Sequence, residues 1–500
     1  MNNFDNHPIS STPKQGAPMP TAPVVAGGLE PYVPTSTMPW NRERVMHLLR
    51  RTGFGAPYNE VSSFLNRTPL EAINQIINNA LNLPLPTTPS WATTGYPAST
   101  ATQAEKDLYN TNARNWLYEY QNTWYKEMRG GALREKLTLF WSNHFVTAYG
   151  SYNNNGPFGY QYIDLLRRYA LGNFSQLVRE VGKLPAMLYY LNGRDNRKGA
   201  PNENYARELL ELFTMGIGNY TQEDIVQTAK ALTGWQVNTQ TLSSFFNSTR
   251  FETGNKTIFG KTGAWGYDDV INLIFSERKT ETARFVCWKL YQFFVYFIPN
   301  ETIVTQLADQ LIAHNFEITP ILRTLFASTH FFESVFIGAK YKSPVELTVG
   351  LFNEVGLPAF TEANYTSIVR TYLNRADQML MSPPNVAGWP EYRSWISTNA
   401  LTRRWDLLNI LALGTKTIPA LPVKNFALGL PNVGNAYELA FELANRIVSV
   451  PFPETEKTAL GKKLLDGMPD YEWSINASTA ESKLKNFLRY LVRLPEFQLC

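Results

Sequence analysis

The sequence predicts a mainly α-helical protein: a multi-helix globular body with long loops, at most a small β-hairpin, and a C-terminal helical subdomain. Three observations carry that prediction. Apolar residues recur at spacings of three and four along most of the chain, the period of a helix with one buried face. Pro-, Gly-, Asn- and Ser-rich breaks separate these stretches. Finally, 500 residues at 44% hydrophobic and 18% charged hold enough apolar surface for a large core.

In chain order, residues 1–38 read as an extended or disordered arm, because Pro, Ser, Thr and Asn dominate them. The main helical domain is expected over 39–413, a Pro/Gly connector over 414–434, and the C-terminal helical subdomain over 435–500. Early helices are predicted at Met46–Arg51, Glu60–Leu65, Leu70–Leu81, Glu105–Arg129 and Leu133–Phe145. Further ones follow at 161–171, 174–182, 203–216, 222–232, 267–276 and 280–298. The rest fall at 302–313, 319–333, 344–355, 364–380, 398–413, 436–448, 454–466 and 481–493. Thr221 and Asp224 have the spacing of a capping box, and Ser343-Pro344 places a proline where a first helical turn has no N–H to satisfy. Loops are expected at 83–101, 151–158, 192–201, 236–264 and 381–397, with a short hairpin around Phe251–Gly260.

Several function classes are excluded or disfavoured by composition. A net charge of +4 with no long basic run gives no footprint for nucleic acid. Cys287 and Cys500 are the only cysteines, which excludes a disulfide framework and a cysteine-based zinc site. No HExxH, EF-hand loop, Walker loop or GxSxG is present, so no metal or other cofactor is predicted. The most apolar run, Val286–Ile298, is interrupted by Lys289 and Gln292 and is too short for a membrane span. The N-terminus lacks a basic start followed by an apolar stretch, which predicts a cytoplasmic protein or one exported with a signal-bearing partner.

The segment PNENYARELLELFTMG (201–216) is the richest in chemistry. On an α-helix, Glu203, Arg207 and Glu211 align in one stripe, with Asn204 and Glu208 on the same polar side. Neighbouring carboxylates raise one another's pKa, which suits Glu203 or Glu208 to a general acid, while Arg207, Glu211 and Asn202 would contact a ligand. The competing reading is a solvated ladder whose pairs contribute only about 0.3–0.5 kcal/mol each. His144 shares an apolar face with Leu133, Leu137, Phe140 and Trp141, so it is either a core residue with one satisfied hydrogen bond or a proton carrier facing Glu203 or Glu208. His47 has the same ambiguity, and the adjacent Arg51 is a candidate anion clamp. Trp235, Trp389 and Trp395 follow or lie near loop glycines, where an indole either stacks on a flat ligand or plugs a gap. Asn385 and Arg393 are the ligand-facing candidates beside them.

Taken in order, HLLRRTGFG (47–55), LREKLTLFWSNHF (133–145), PNENYARELLELFTMGIGNYTQEDIVQTAKALTGW (201–235), GNKTIFG (254–260), YKSPVEL (341–347), PPNVAGWP (383–390) and LPEFQLC (494–500) resemble the bacterial domain-of-unknown-function family numbered 1800. The resemblance implies a mostly helical fold. It also implies a partner: a sulfatase-like protein of a neighbouring gene, in a second family, numbered 1501, that often carries an export signal. Ser142 and Phe251-Glu252 stand where relatives often carry histidine and a His-Asp pair. Positions that match the pattern include His47, Arg51, His144, Asn202, Glu203, Arg207, Glu208, Glu211, Trp235, Lys256, Asn385 and Trp389. The expected function is a helical binding or assembly protein of the cell envelope, acting with the sulfatase-like partner and with a saccharide. The alternative is an acid/base hydrolase of a polar or anionic envelope saccharide, working through the Glu/Arg/His cluster.

Overall fold

The computed structural model of the protein describes residues 23–356, 362–390, 392–416 and 418–500. Residues 1–22 of the expected arm, including His7, lie outside the described residues. Among the described residues, helices dominate and the strands form only two two-stranded sheets, so the chain is mainly α-helical.

Three helices at the centre are buried almost all round: α1 (Arg42–Thr52), and two more introduced here as α2 (Ala132–His144) and α3 (Pro344–Val355). Each nevertheless carries charge, and the charges join the helices. Arg50 of α1 meets Glu354 of α3 at 2.7 Å, and Lys136 of α2 meets Glu346 of α3 at 2.6 Å. Glu135 of α2 is held between Arg134 at 3.1 Å and Arg167 at 2.8 Å. The start of α3 is the predicted one: Ser343 accepts from the Glu346 N–H, the Glu346 carboxylate accepts from the Ser343 N–H, and Pro344 opens the first turn.

The expected single hairpin is two. One pairs Trp235–Asn238 with Ser243–Phe246, and the other pairs Lys256–Ile258 with Lys261–Gly263. The second turns at Phe259 (φ +49°) and Gly260 (φ +77°), two successive left-handed residues that suit a tight hairpin and place it a few residues beyond the predicted centre.

Of the arm, residues 27–32 are fastened to the body. Gly27 N–H donates to Glu333, His330 N–H donates to the Gly28 carbonyl, and buried Tyr32 donates its N–H to the Ala327 carbonyl at 2.8 Å. At the other end, Tyr341 bridges Leu499, and the Cys500 N–H donates to the Lys340 carbonyl at 2.7 Å. Buried apolar side chains run as one cluster from Tyr32 to Phe497. The run Val286–Ile298 belongs mostly to the helix Lys279–Phe294, and no helix of the described residues is long and apolar enough to cross a membrane.

Candidate functional site

The polar loop before residue 203 is built on asparagines. Asn196 donates to the Ala229 carbonyl at 2.8 Å and accepts from the Asn202 N–H, while Asn202 accepts from the Asn204 N–H at 2.9 Å. Asn202 therefore shapes the entry into the helix Asn204–Glu208, which continues as a π-turn over Leu209–Thr214. Glu203 pairs with Arg207 at 3.2 Å, both side chains are about 40% exposed, and Gln222 bonds to each of them. An exposed pair of this kind contributes about 1 kcal/mol or less.

The predicted stripe breaks after Arg207. A π-turn has more residues per turn than an α-helix, so it rotates Glu211 out of line. Glu211 instead accepts the Tyr220 hydroxyl at 2.6 Å. Glu208 remains between them, half-buried, and its carboxyl is pushed up to about 7 by burial and by the charge of Glu211, against the opposing pull of Arg207. Burial and the charge of Glu208 push Tyr190 up to about 12.

His144 does not join this group. It is buried among aromatic rings, and its Nε2 lies 2.9 Å from the Phe213 carbonyl in the last turn of the Glu-bearing helix. Burial lowers its pKa to about 3, so at neutral pH it is an uncharged donor that ties down a helix end rather than a proton carrier. Among the described residues no hydrogen bond or ion pair links it to Glu203, Glu208 or Glu211. His47 is alike: buried, with Nε2 on the Phe331 carbonyl at 3.0 Å.

The other candidates separate by burial. Arg51 is enclosed and donates to the Phe336 carbonyl at 2.7 Å, at the end of a short 3-10 turn, so its guanidinium is spent on backbone carbonyls. Trp235 sits edge-on to Tyr267 and Phe246 with the Lys183 ammonium 5.6 Å from its ring. Asn385 is exposed and forms a turn by accepting from the Ala387 N–H. Arg393 is exposed, 5.5 Å from the Tyr392 ring.

Trp389 and Trp395 do line a pocket. It lies between α2 (Leu139, Asn143), the start of α3 (Ser343, Glu346), and the loop carrying the two tryptophans. It is narrow, about 50 Å³, with room for a few water molecules. Asn143, one residue before His144, fixes the loop: its Oδ1 accepts from the Trp389 N–H at 2.7 Å. Gly388 allows that approach with φ +86°; a Cβ there would lie 2.2 Å from the Asn143 Oδ1. Trp389 is 4% exposed, and its indole N–H has no hydrogen-bond partner among the described residues. At the rim Tyr392 stacks on Phe297 with ring centres 4.3 Å apart, and Tyr341 stands 5.2 Å from Tyr392. Lys340 lies over Phe293 and reaches Glu346 at 3.1 Å.

Sequence reasoning nominated Trp389 and Trp395 but missed Asn143, Lys340, Tyr341 and Tyr392. The capping box at Ser343–Glu346 was the available signal, since it fixes where Lys340 and Tyr341 enter the body. Among the described residues no three His, Cys, Asp or Glu side chains converge as metal ligands. No curated protein and no solved structure matches the chain. A family model described as a protein of unknown function, DUF1800, matches residues 47–499. With nearly the whole length matched, the chain belongs to the DUF1800 family.

Proposed function

We propose that this is a binding protein of the cell envelope that holds part of a polar saccharide in the Trp389 pocket and acts with a sulfatase-like partner. One observation carries the reading. A narrow pocket lined by Trp389 and Trp395 and rimmed by Phe297, Tyr341 and Tyr392 offers aromatic faces on which a sugar ring can stack. Titration with a panel of oligosaccharides, followed by tryptophan fluorescence and calorimetry, tests it. Binding is expected, and Tyr392→Ala weakens it by about tenfold through loss of the ring face. Failure of every sugar at millimolar concentration sinks the reading. Co-elution with the co-expressed neighbouring gene product tests the partner.

A second reading, acid/base chemistry on an anionic envelope saccharide, is favoured by Glu208 alone. Its carboxyl titrates near neutrality beside Glu211, at the last α-helical residue before a π-turn, an element frequent at functional sites. His144 has no part in it.

A further inference from the structure

We infer that the pocket between α2, α3 and the tryptophan loop takes the acetamido group of an N-acetylated amino sugar, held by the side-chain amides of Gln292, Gln378 and Asn143. The inference rests on the binding reading above and adds the class of saccharide.

The first support is the set of hydrogen-bonding atoms left unspent on residues that line the pocket. Gln292 donates its Nε2 to the Phe297 carbonyl at 2.7 Å, so its Oε1 is an acceptor without a donor among the described residues. Gln378 accepts the Val345 N–H on its Oε1 at 2.9 Å, so its Nε2 is a donor without an acceptor among them. Both amides are fixed in orientation, because a carbonyl bonds only to a donor and an N–H only to an acceptor. Neither open atom is among the buried polar atoms that lack a partner, so each keeps contact with solvent. Asn143 is fixed in the same way: its Oδ1 accepts from the Trp389 N–H at 2.7 Å, while its Nδ2 reaches the Trp389 carbonyl only at 3.5 Å, the far limit of a hydrogen bond. The residues of the pocket thus hold one open acceptor and two donors with capacity to spare. A secondary amide is the complement: its N–H meets the Gln292 Oε1, and the two lone pairs of its carbonyl oxygen meet Gln378 and Asn143.

The second support is the absence of an open charge. Lys340 and Glu346 line the same space, but they are paired with each other at 3.1 Å. Lys136 and the Ser343 N–H take up the rest of the Glu346 carboxylate. An anion finds no free cation here and an ammonium no free carboxylate, so the walls select a polar group without charge.

The third support is size and lining. The space is about 50 Å³, and one water needs about 10–15 Å³, so about three or four water-sized groups fit. An acetamido group has four non-hydrogen atoms and fills it, while the larger sugar ring stays outside against Tyr392 and Tyr341. Leu139, Phe293 and Trp395 supply apolar wall. An acetyl methyl gains from leaving water for that wall, whereas a hydroxyl in the same place leaves it unused.

The test uses the full chain and three disaccharides with one β-1,4 backbone: N,N′-diacetylchitobiose, its free-amine form and cellobiose. Each is titrated by calorimetry. The diacetyl sugar is expected to bind about tenfold or more tighter than either of the others. Gln378→Glu keeps the oxygen that accepts from Val345 but replaces the open donor with an acceptor. It should abolish the preference and leave cellobiose binding unchanged, with circular dichroism checking that the variant folds; the comparison of the three sugars on the wild type stands without it. A preference that survives in folded Gln378→Glu overturns the assignment of this pocket, and so does tighter binding of the amine. Equal affinity for all three sugars, with Tyr392→Ala weakening each, overturns the acetamido group and leaves the binding reading standing. No affinity for any of the three overturns both.

Discussion

Glu208 offers the most direct test of the acid/base alternative, because its consequence is a pH dependence with a definite sign. Its carboxyl titrates at about 7 in the folded protein against an ordinary value of 4.5. The folded state therefore holds this proton more tightly than the unfolded chain does. The stabilisation from protonated Glu208 is complete below about pH 4.5 and is lost as pH rises through about 7. At roughly 1.4 kcal/mol per pH unit, the full difference is worth about 3 kcal/mol. The side chain is only half-buried, so solvent screening reduces this to about 1–2 kcal/mol. Other groups act in the same range with the opposite sign. His144 titrates at about 3 when folded, so its contribution to stability grows from there up to its ordinary value of 6.5. Lys342, held at about 8 by burial and by Arg50, acts only above that pH. The comparison must therefore be between the wild type and Glu208→Gln, measured by urea unfolding at about pH 5 and about pH 8. The wild type should lose about 1–2 kcal/mol relative to the variant between the two. If the two proteins keep the same difference at both pH values, Glu208 is an ordinary surface carboxylate, and the acid/base reading loses its only support.

Two further perturbations address the scaffold. Glu135 is fully buried and is the counter-ion of both Arg134 and Arg167, so Glu135→Gln strands two guanidiniums and should cost about 3–5 kcal/mol in urea unfolding. A loss below about 1 kcal/mol would show that the arginines find other acceptors. Gly388→Ala must place a methyl group against Asn143 at a backbone angle that favours glycine, and should cost about 1–3 kcal/mol while weakening saccharide binding. Unchanged affinity in that variant would mean the Asn143 contact does not position Trp389.

The helices were legible because their signals are local. Residues 344–355 and 398–413 form helices over the predicted spans, with serine caps and a proline or a glycine marking the ends. The π-turn was not legible. Apolar residues at 209, 210 and 213 fit an α-helix as well as a wider turn, so the lost alignment of Glu211 leaves no trace in the spacing. Arg51 misled for a related reason. A pair of arginines looks the same whether it faces an anion or a set of carbonyls, and burial decides between them. The pocket was half legible. Trp389 and Trp395 stood out as aromatics near a glycine, but Lys340, Asn143 and Phe297 reach the same space from segments far apart in the chain.

The pairing of residues 498–500 with 340–342 ties together two stretches far apart in the chain. Lys342 and Arg404 take their anchors from Phe497 and Gln498, so the wall behind Lys340 depends on those residues. A substitution that loosens Phe497 or Gln498 is therefore felt at Tyr341 and at the opening turn of α3, far from the altered position in sequence.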